Sequence, residues 1–360
     1  MKSLKPTMSE HVLTPDQNSS AVPENRIVKW LNQNRKMLWP FLALLIILLI
    51  NRLISPNFFS IQIVQGRFSG SLIDILNRGA PVILLSIGMT LVIATKGIDL
   101  SVGAVIAICG AVAAVLISTT TIPPLLVILI SLIAGLLCGL WNGILVSVFN
   151  IQPIVATLIL MVAGRGLAQM ITEGQIAIFN NESLAFVGTG LIAGIPFPIY
   201  LSLAVLILVY LFVRRTALGL MIESVGANER ASFYTGINAT GVKVLVYVIS
   251  GLCAALAGLI ITADIKGADA NNAGLWKELD AILAVVIGGT SLAGGRFYLG
   301  MSVIGTLIIQ SVQTGILISG LPSTFNLVVK AVVIMVVLLM QSDVFRQTIR
   351  NGLTALRREA

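Results

Sequence analysis

The feature that most limits what this chain can fold into is a series of apolar segments, each about 20 residues long. They recur between Leu38 and Gln341 without the period-two alternation of barrel strands, which indicates helices that cross a bilayer. Apolar residues make up 57% of the chain and charged residues only 11%, against roughly 25% charged residues in soluble domains. The sequence therefore predicts an all-α integral membrane protein.

The apolar segments predict about ten transmembrane helices. Their approximate limits are 38–54, 72–95, 101–119, 124–149, 152–172, 197–213, 243–264, 279–294, 298–318 and 326–341. The first is not a signal peptide, because its leader is too long and no small-residue cleavage site follows it. Residues 38–341 are thus a transmembrane domain between two polar tails, 1–36 and 342–360, and the first tail is predicted to be disordered.

Positive charge is concentrated in the two tails and in the polar loop 214–241, and the net charge is +8. Lysine and arginine beside membrane spans favour the cytoplasmic side. Six crossings return Arg214 to the side of the N-terminus, and ten crossings return the C-terminal tail to it. The charge distribution therefore predicts cytoplasmic termini and a cytoplasmic loop 214–241, and it argues against binding to nucleic acid.

The loop 214–241 has the sequence signs of short helices. Asn228 is a candidate helix cap, Glu229 suits the first turn that follows, and Gly236 suits a left-handed helix end. A structured cytoplasmic loop of this kind indicates a contact surface for a partner. An ordinary solvated connection is the alternative.

The two halves of the domain, about 38–172 and 197–341, carry similar helix starts. Asp99 precedes the third span, and Glu278 and Asp280 open the eighth, where an acid is expected to cap backbone amides. In the predicted topology these two spans begin on opposite sides of the membrane. The halves are therefore predicted to form an inverted repeat, as in many transporters; chance similarity of a few residues is the alternative.

Two predicted spans have a helical face that carries polar side chains. In the fifth span Thr157, Met161 and Arg165 share a face, and in the ninth the stripe is Thr306, Gln310, Gln313 and Thr314. Polar residues within a membrane bond across helices or line a wet cavity, so these stripes are candidates for a translocation path. Snorkelling of Arg165 and Lys330 to the membrane surface is an alternative for these two cations.

Glycines at helical spacing predict close helix contacts. Gly135, Gly139 and Gly143 recur every four residues in the fourth span, and Gly251 and Gly258 lie in the seventh. Small residues on one face let two helix backbones approach closely.

The chain lacks the usual sequence signs of an enzyme. It has no phosphate-binding G-x-x-x-x-G-K-[ST] loop, no cluster of metal ligands, and a single histidine, His11, in the polar tail. We therefore predict no catalytic residue, no metal site and no cofactor bound by this chain. No ionisable residues are expected near the middle of the membrane, which disfavours an ion-coupled secondary transporter.

Three segments resemble the permease subunits of bacterial ABC importers for monosaccharides of the ribose, xylose and galactofuranose type. The resemblance covers about residues 38–341. Its first part is Gly88–Ile93 with Gly97, Asp99, Ser101 and Gly103; its second is Glu278–Leu292 with Asp280, Gly288 and Gly289; its third is Gly226, Asn228, Glu229, Ala231, Gly236 and Ile237. The loop 268–276 is most similar to the galactofuranose permeases. Ser232 and Phe233 depart from the family pattern, which usually has alanine and a basic residue there.

The resemblance implies a permease of the bacterial inner membrane that works in a larger complex. A second permease chain, identical or different, would enclose the sugar path with this one. A periplasmic sugar-binding protein would deliver the sugar, and a separate cytoplasmic ABC ATPase would hydrolyse ATP. Residues 226–237 would couple to that ATPase, with Phe233 and Tyr234 providing apolar contacts. The alternatives are an ion-coupled transporter, a non-transporting membrane scaffold or receptor, and a permease for ribose or xylose.

Overall fold

A computed structural model of the chain describes residues 35–64, 66–320, 322 and 325–341. Residues 1–34 of the predicted N-terminal tail and the whole predicted C-terminal tail lie outside the described residues. The first helix begins at Arg35, so it includes the last two residues assigned to the N-terminal tail.

The described part of the chain is a helical bundle. Its helices are α1 (Arg35–Ile54), α2 (Ser71–Ala94), α3 (Val102–Thr119), α4 (Pro124–Ser147), α5 (Pro153–Ile171), α6 (Glu182–Thr189), α7 (Phe197–Arg215), α8 (Leu218–Ala227), α9 (Glu229–Tyr234), α10 (Ala239–Ile265), α11 (Lys277–Ile287), α12 (Leu299–Ile318) and α13 (Asn326–Gln341). Seven of them, namely α2, α3, α4, α5, α7, α10 and α12, are long and apolar enough to cross a bilayer. The prediction of an all-α membrane protein with about ten spans is confirmed.

Short antiparallel strand pairs lie in the connections between some of the helices. The strands are β1 (Gln62–Val64), β2 (Arg67–Ser69), β3 (Ala177–Ile178), β4 (Leu191–Ile192), β5 (Ile195–Pro196) and β6 (Gly267–Ala268). They pair as β1 with β2, β3 with β6, and β4 with β5. The β3–β6 pair ties the connection after α5 to the connection after α10.

Helix α10 is the central element of the bundle and contacts α2, α3 and α4 along its length. Glycine makes the contact between α10 and α4 possible. A Cβ atom on Gly139 would clash with the Tyr247 carbonyl and would lie 2.9 Å from the Val248 Cα. Gly251 likewise meets the backbone of Gly135 and Gly139. The predicted close approach of glycine faces is confirmed.

The predicted eighth span, 279–294, is wrong in length. Helix α11 has 11 residues and ends at Ile287, so it is about 16 Å long at 1.5 Å per residue. That is about half of the roughly 30 Å of a bilayer core. Gly288 ends the helix, and Gly289 follows at φ 86°, a left-handed conformation that glycine adopts without strain.

Two connections turn back into the bundle, and they share a local sequence. After α2, Lys96 takes a left-handed φ of 64°, and after α10, Lys266 takes a φ of 51°. Each lysine is followed by glycine, one further residue and aspartate, at Asp99 and Asp269. In both, the aspartate Oδ1 accepts the backbone N–H two residues later, at 3.1 Å from Ser101 and 3.0 Å from Asn271.

This match corrects the predicted equivalence of the two helix starts. The residue that corresponds to Asp99 by local geometry is Asp269, not Asp280. The capping prediction is only partly right: Asp99 accepts the Ser101 backbone N–H just before α3, but neither α3 nor α11 has a side-chain cap at its N-cap residue, Ser101 or Trp276. The repeated K-G-x-D tetrapeptide was the signal in the sequence, and comparing acids at helix starts alone missed it.

The first turns of α3 and α11 lie side by side inside the bundle. A Cβ atom on Gly103 would lie 2.5 Å from the Glu278 carboxylate and 2.6 Å from the Gly274 carbonyl. From there the two helices run towards opposite ends of the bundle. Helix α3 passes Thr262, near the C-terminal end of α10, whereas the segment after α11 reaches Ala94, at the C-terminal end of α2. Each connection therefore enters the bundle from one end, and the helix that follows it continues to the other end, so that connection and helix span the bundle only in combination.

We expect Gly139→Ala to destabilise the bundle by about 1–3 kcal/mol, because the added methyl overpacks a backbone contact between α4 and α10. Thermal unfolding of the detergent-purified protein measures this effect. Gly166→Ala in α5 is the matched control, since no atom lies within 4 Å of the added Cβ. Equal melting temperatures for the two variants would contradict the proposed role of the contact.

Candidate functional site

The segment between α7 and α10 is formed by two short helices. The side chain of Asn228 accepts the Ala231 N–H at 3.1 Å and caps α9, as predicted. Gly236 follows the helix at φ 84°, which confirms the predicted left-handed end. Lys243 of α10 forms an ion pair of 2.6 Å with Glu229, and this bond holds the start of α9 against α10. The segment thus has a defined local structure.

Helix α9 presents two aromatic side chains to the surroundings. Phe233 is 71% exposed and Tyr234 is 86% exposed, and their ring centroids lie 6.1 Å apart. Both line a cavity of about 850 Å³ beside Ile237. Exposed aromatic residues next to a groove are typical of protein interfaces. Ser232, which departs from the family pattern, is buried and bonds back to the Asn228 carbonyl at 2.9 Å.

Gly226 anchors this segment to the bundle. The position that its Cβ would take is occupied by the Ala94 carbonyl and lies 2.6 Å from the Gly295 N–H. Gly295 donates a hydrogen bond of 2.9 Å to the Ala94 carbonyl, and Lys96 Nζ donates one of 3.2 Å to the Ala227 carbonyl. The segment therefore contacts the end of α2, where the 95–101 connection starts, and Gly295 in the segment between α11 and α12.

Asp99 lies at the centre of a buried polar network. Its Oδ1 accepts the Ser101 hydroxyl at 2.6 Å, and its Oδ2 accepts the Ser250 hydroxyl at 2.9 Å near the middle of α10. Asn142 of α4 donates to the Ser101 hydroxyl at 2.8 Å. The carboxylate thereby joins the 95–101 connection to two long helices, and the sequence alone had assigned it only to a helix start.

The α5 stripe lies against both inward-turning connections. Thr157 is buried, with Oγ1 3.2 Å from the Ile98 carbonyl. Arg165, two turns later and half-buried, donates from Nη1 to the carbonyls of Ala270 and Ala273 at 3.0 and 2.6 Å. Met161 is also half-buried and lies between them in the sequence. The arginine bonds to protein and does not only reach for the membrane surface.

The α12 stripe divides into two parts. Thr306 lies 2.9 Å from the Ser86 hydroxyl and joins α12 to α2. Gln310 and Gln313, with Lys277, line a cavity of about 330 Å³. The other polar residues of that cavity are Asn77, Arg78 and Asp264. Thr314 is buried, and its hydroxyl has no hydrogen-bond partner among the described residues. The two predicted stripes therefore belong to different parts of the bundle.

The signature glycines beside these networks allow close contacts. A Cβ atom on Gly97 would lie 2.7 Å from the Tyr247 hydroxyl, and one on Gly288 would lie 2.6 Å from the Met301 backbone. These positions explain why the motifs need glycine: any side chain would displace the connections that turn into the bundle.

Comparisons with known proteins identify the family. Residues 71–338 match the family described as the permease component of a branched-chain amino acid transport system. The chain belongs to this family. It is 56% identical to the galactofuranose transporter permease protein YtfT of Escherichia coli, over 88% of this chain and 94% of that protein. No solved structure matches the chain.

Further relatives are also sugar permeases by name. The chain is 40% identical to the fructose import permease protein FruF of Bifidobacterium longum, over 91% of this chain and 92% of that protein. It is 37% identical to the ribose import permease protein RbsC of Haemophilus influenzae, over 83% and 91%. The predicted resemblance to permeases of ABC monosaccharide importers is confirmed, and so is the prediction of a transport protein rather than an enzyme.

Buried ionisable residues are present, contrary to the expectation from the sequence. Lys330 of α13 forms an ion pair of 2.7 Å with Asp280 of α11, and both side chains are at least 90% buried. Glu278 and Asp99 are buried as well. Lys330 therefore does not snorkel to the surface. Because these charges are paired or hydrogen-bonded within the protein, or lie beside Arg165, they do not by themselves indicate ion coupling.

We expect Lys330→Met to destabilise the protein by about 3–5 kcal/mol, because it leaves the Asp280 carboxylate buried without its cation. The double variant Lys330→Met with Asp280→Leu should regain much of that stability, since neither charge remains. Thermal melting of the purified variants tests the expectation. A double variant less stable than the single variant would show that the ion pair is not what joins α13 to α11.

Proposed function

We propose that this chain is the permease subunit of an ATP-driven importer of a monosaccharide, with galactofuranose as the substrate. The relative that is 56% identical along nearly its whole length carries that sugar in its name. Relatives named for fructose and ribose are only 40% and 37% identical, which makes those sugars less favoured substrates. Xylose, noted from the sequence, stays a further alternative.

The proposed complex has three kinds of subunit: permease, ATPase and sugar-binding protein. Two permease chains, identical or different, form the path; a cytoplasmic ABC ATPase binds and hydrolyses ATP; and a periplasmic sugar-binding protein delivers the sugar. The chain lies in the bacterial inner membrane with both termini in the cytoplasm. The positive charges of the tails and of the 214–241 loop support this orientation.

The observation that carries the proposal is the capped helix α9 with its exposed aromatic pair. A cytoplasmic segment that serves only as a connection does not need two large apolar rings in water, whereas an interface does. We propose that residues 226–237 dock on the ATPase through Phe233 and Tyr234. Glu229, Ala231 and Ile237 complete the surface of this coupling segment.

The contacts of Gly226 suggest how movement of the ATPase reaches the path. The coupling segment bears on Ala94 and Gly295, which are bonded to each other. Ala94 leads into the 95–101 connection with Asp99, and Gly295 follows the end of α11. A displacement of α9 would therefore act on the 95–101 connection directly and on the 266–276 connection through α11, and tight backbone contacts would transmit the movement.

We further propose that the halves, about 38–172 and 197–341, form an inverted repeat. The shared K-G-x-D turns and the opposite directions of α3 and α11 support this proposal. The path would run where the inward-turning connections meet α5, with Thr157, Met161 and Arg165 on its wall. Gln310 and Gln313 would line a polar recess of the same chain beside α2. Thr306 would hold α12 against α2, and Thr314 would lie buried further along α12.

Uptake of labelled sugars tests the substrate and the energy source together. Cells with the intact gene should accumulate galactofuranose faster than ribose or xylose, and cells without it should not. Accumulation should stop when the partner ATPase loses its catalytic glutamate or lysine. Uptake that survives the loss of ATP hydrolysis would support the ion-coupled alternative instead.

The coupling surface is tested by Phe233→Ala with Tyr234→Ala. Both rings are exposed, so folding and membrane insertion should be unchanged, while affinity for the ATPase should fall at least about tenfold, since interface aromatics commonly contribute 2 kcal/mol or more. Co-purification of the ATPase measures the loss. Leu220→Ala, at a residue of α8 that is 73% exposed, is the control. Full ATPase binding by the double variant would refute the surface.

A further inference from the structure

The connection between α10 and α11 leaves helical geometry well inside the bundle. Gly274 contacts Ile106, which in turn contacts Gly258 of α10. Since α10 continues for seven residues beyond Gly258, Gly274 lies about 10 Å below the end of that helix at 1.5 Å per residue. At this depth the residues around Gly274 lie within the membrane-spanning part of the bundle.

Several side chains of this connection are nevertheless exposed on the single chain. Asn271 and Asn272 are exposed, and Trp276 is 51% exposed. Non-helical backbone and carboxamides at membrane depth are tolerated only where protein covers them or where they line a water-filled cavity. This face therefore borders a wet space rather than lipid.

Helix α5 holds this face in place and adds polar groups to it. Arg165 uses Nη1 for the carbonyls of Ala270 and Ala273, and no described residue accepts from its Nη2 or Nε. One turn later, Gln169 donates from Nε2 to the Asn271 Oδ1 at 2.6 Å. The arginine is thus fixed in position while part of its planar fork of donors stays free.

Acidic neighbours offset the positive charge of Arg165 at this face. Glu278 and Asp269 both interact electrostatically with Arg165. The face consequently offers no net positive charge to attract an anion. It offers hydrogen-bond donors, carboxamides and one broad aromatic ring.

We propose that Arg165, Gln169, Asn271 and Trp276 form a monosaccharide-binding subsite on the wall of the path. This inference rests on the proposed function and names the residues that would meet the sugar. The indole is a flat apolar platform for the C–H face of a sugar ring, and its N–H has no partner among the described residues. The free guanidinium and carboxamide groups suit the neutral hydroxyl groups around the ring.

The backbone of Trp276 has an unusual conformation. It takes a left-handed φ of 63° at the start of α11, and its carbonyl accepts the Asp280 N–H at 3.3 Å. Such a conformation is uncommon for a large side chain and costs free energy. A strained residue with an exposed ring is more consistent with ligand contact than with helix packing.

Tryptophan fluorescence of the detergent-purified full-length chain tests the subsite directly. Titration with free monosaccharides at millimolar concentration should change the emission of the wild type. The change should disappear in Trp276→Phe and persist in Trp141→Phe, a control at a tryptophan of α4 that is 53% exposed. No change in the wild type, or an equal change in both variants, would overturn the proposal.

Uptake by the complete importer separates this proposal from the function on which it rests. Trp276→Ala should slow uptake of the preferred sugar up to about tenfold, the effect of losing one aromatic contact of about 1.4 kcal/mol. ATP hydrolysis stimulated by the binding protein should remain. Should Trp276→Ala fail to assemble, Gln169→Ala in α5 and Asn271→Ala in the connection apply the same test. Unaltered uptake in assembled variants overturns the subsite, whereas a wild type that imports no monosaccharide overturns the proposed function and leaves the fluorescence result to decide the subsite.

Discussion

The constraint on which this structure depends is that backbone polar groups inside a bilayer must find partners within the protein. The two connections at 95–101 and 266–276 leave helical geometry inside the bundle, so their backbone groups depend on partners from the protein. In the first, Asp99 accepts the Ser101 N–H and Thr157 donates to the Ile98 carbonyl; in the second, Arg165 donates to two carbonyls. Removing either set would leave unpaired polar groups at a cost of several kcal/mol each.

Glycine provides the second requirement, which is room. The connections fit only because α10 lies close to α4 through Gly139 and Gly251, and because Gly103 faces the Gly274 carbonyl without a side chain. Between helices in lipid the hydrophobic effect contributes little, so close packing and interhelical hydrogen bonds stabilise the bundle instead. The same close contacts make the bundle suited to transmitting movement from Gly226, since packed backbones shift as units.

The proposed function uses two regions of the bundle. At one end, α9 carries the exposed rings of the proposed ATPase contact, and the segment is anchored on Ala94 and Gly295. In the interior, the 95–101 and 266–276 connections carry the polar groups that border the proposed path. The buried Asp280–Lys330 pair joins α13 to the half-length helix α11, so a movement of α11 would also move α13.

The sequence by itself determined the features that depend on local order. The apolar runs predicted the helices, the glycine spacing predicted close-packing faces on α4 and α10, and Asn228 and Gly236 predicted the limits of α9, because each effect acts within a few residues along the chain. Only the tertiary structure decided the partners of the charged residues. Ser250 lies 151 residues from Asp99 and Lys330 lies 50 from Asp280, and no local pattern encodes such pairings. The length of α11 was decided in the same way: residues 288–294 carry no charge that would end a span, but Gly288 lies against the backbone of α12 and Gly295 is bonded to Ala94.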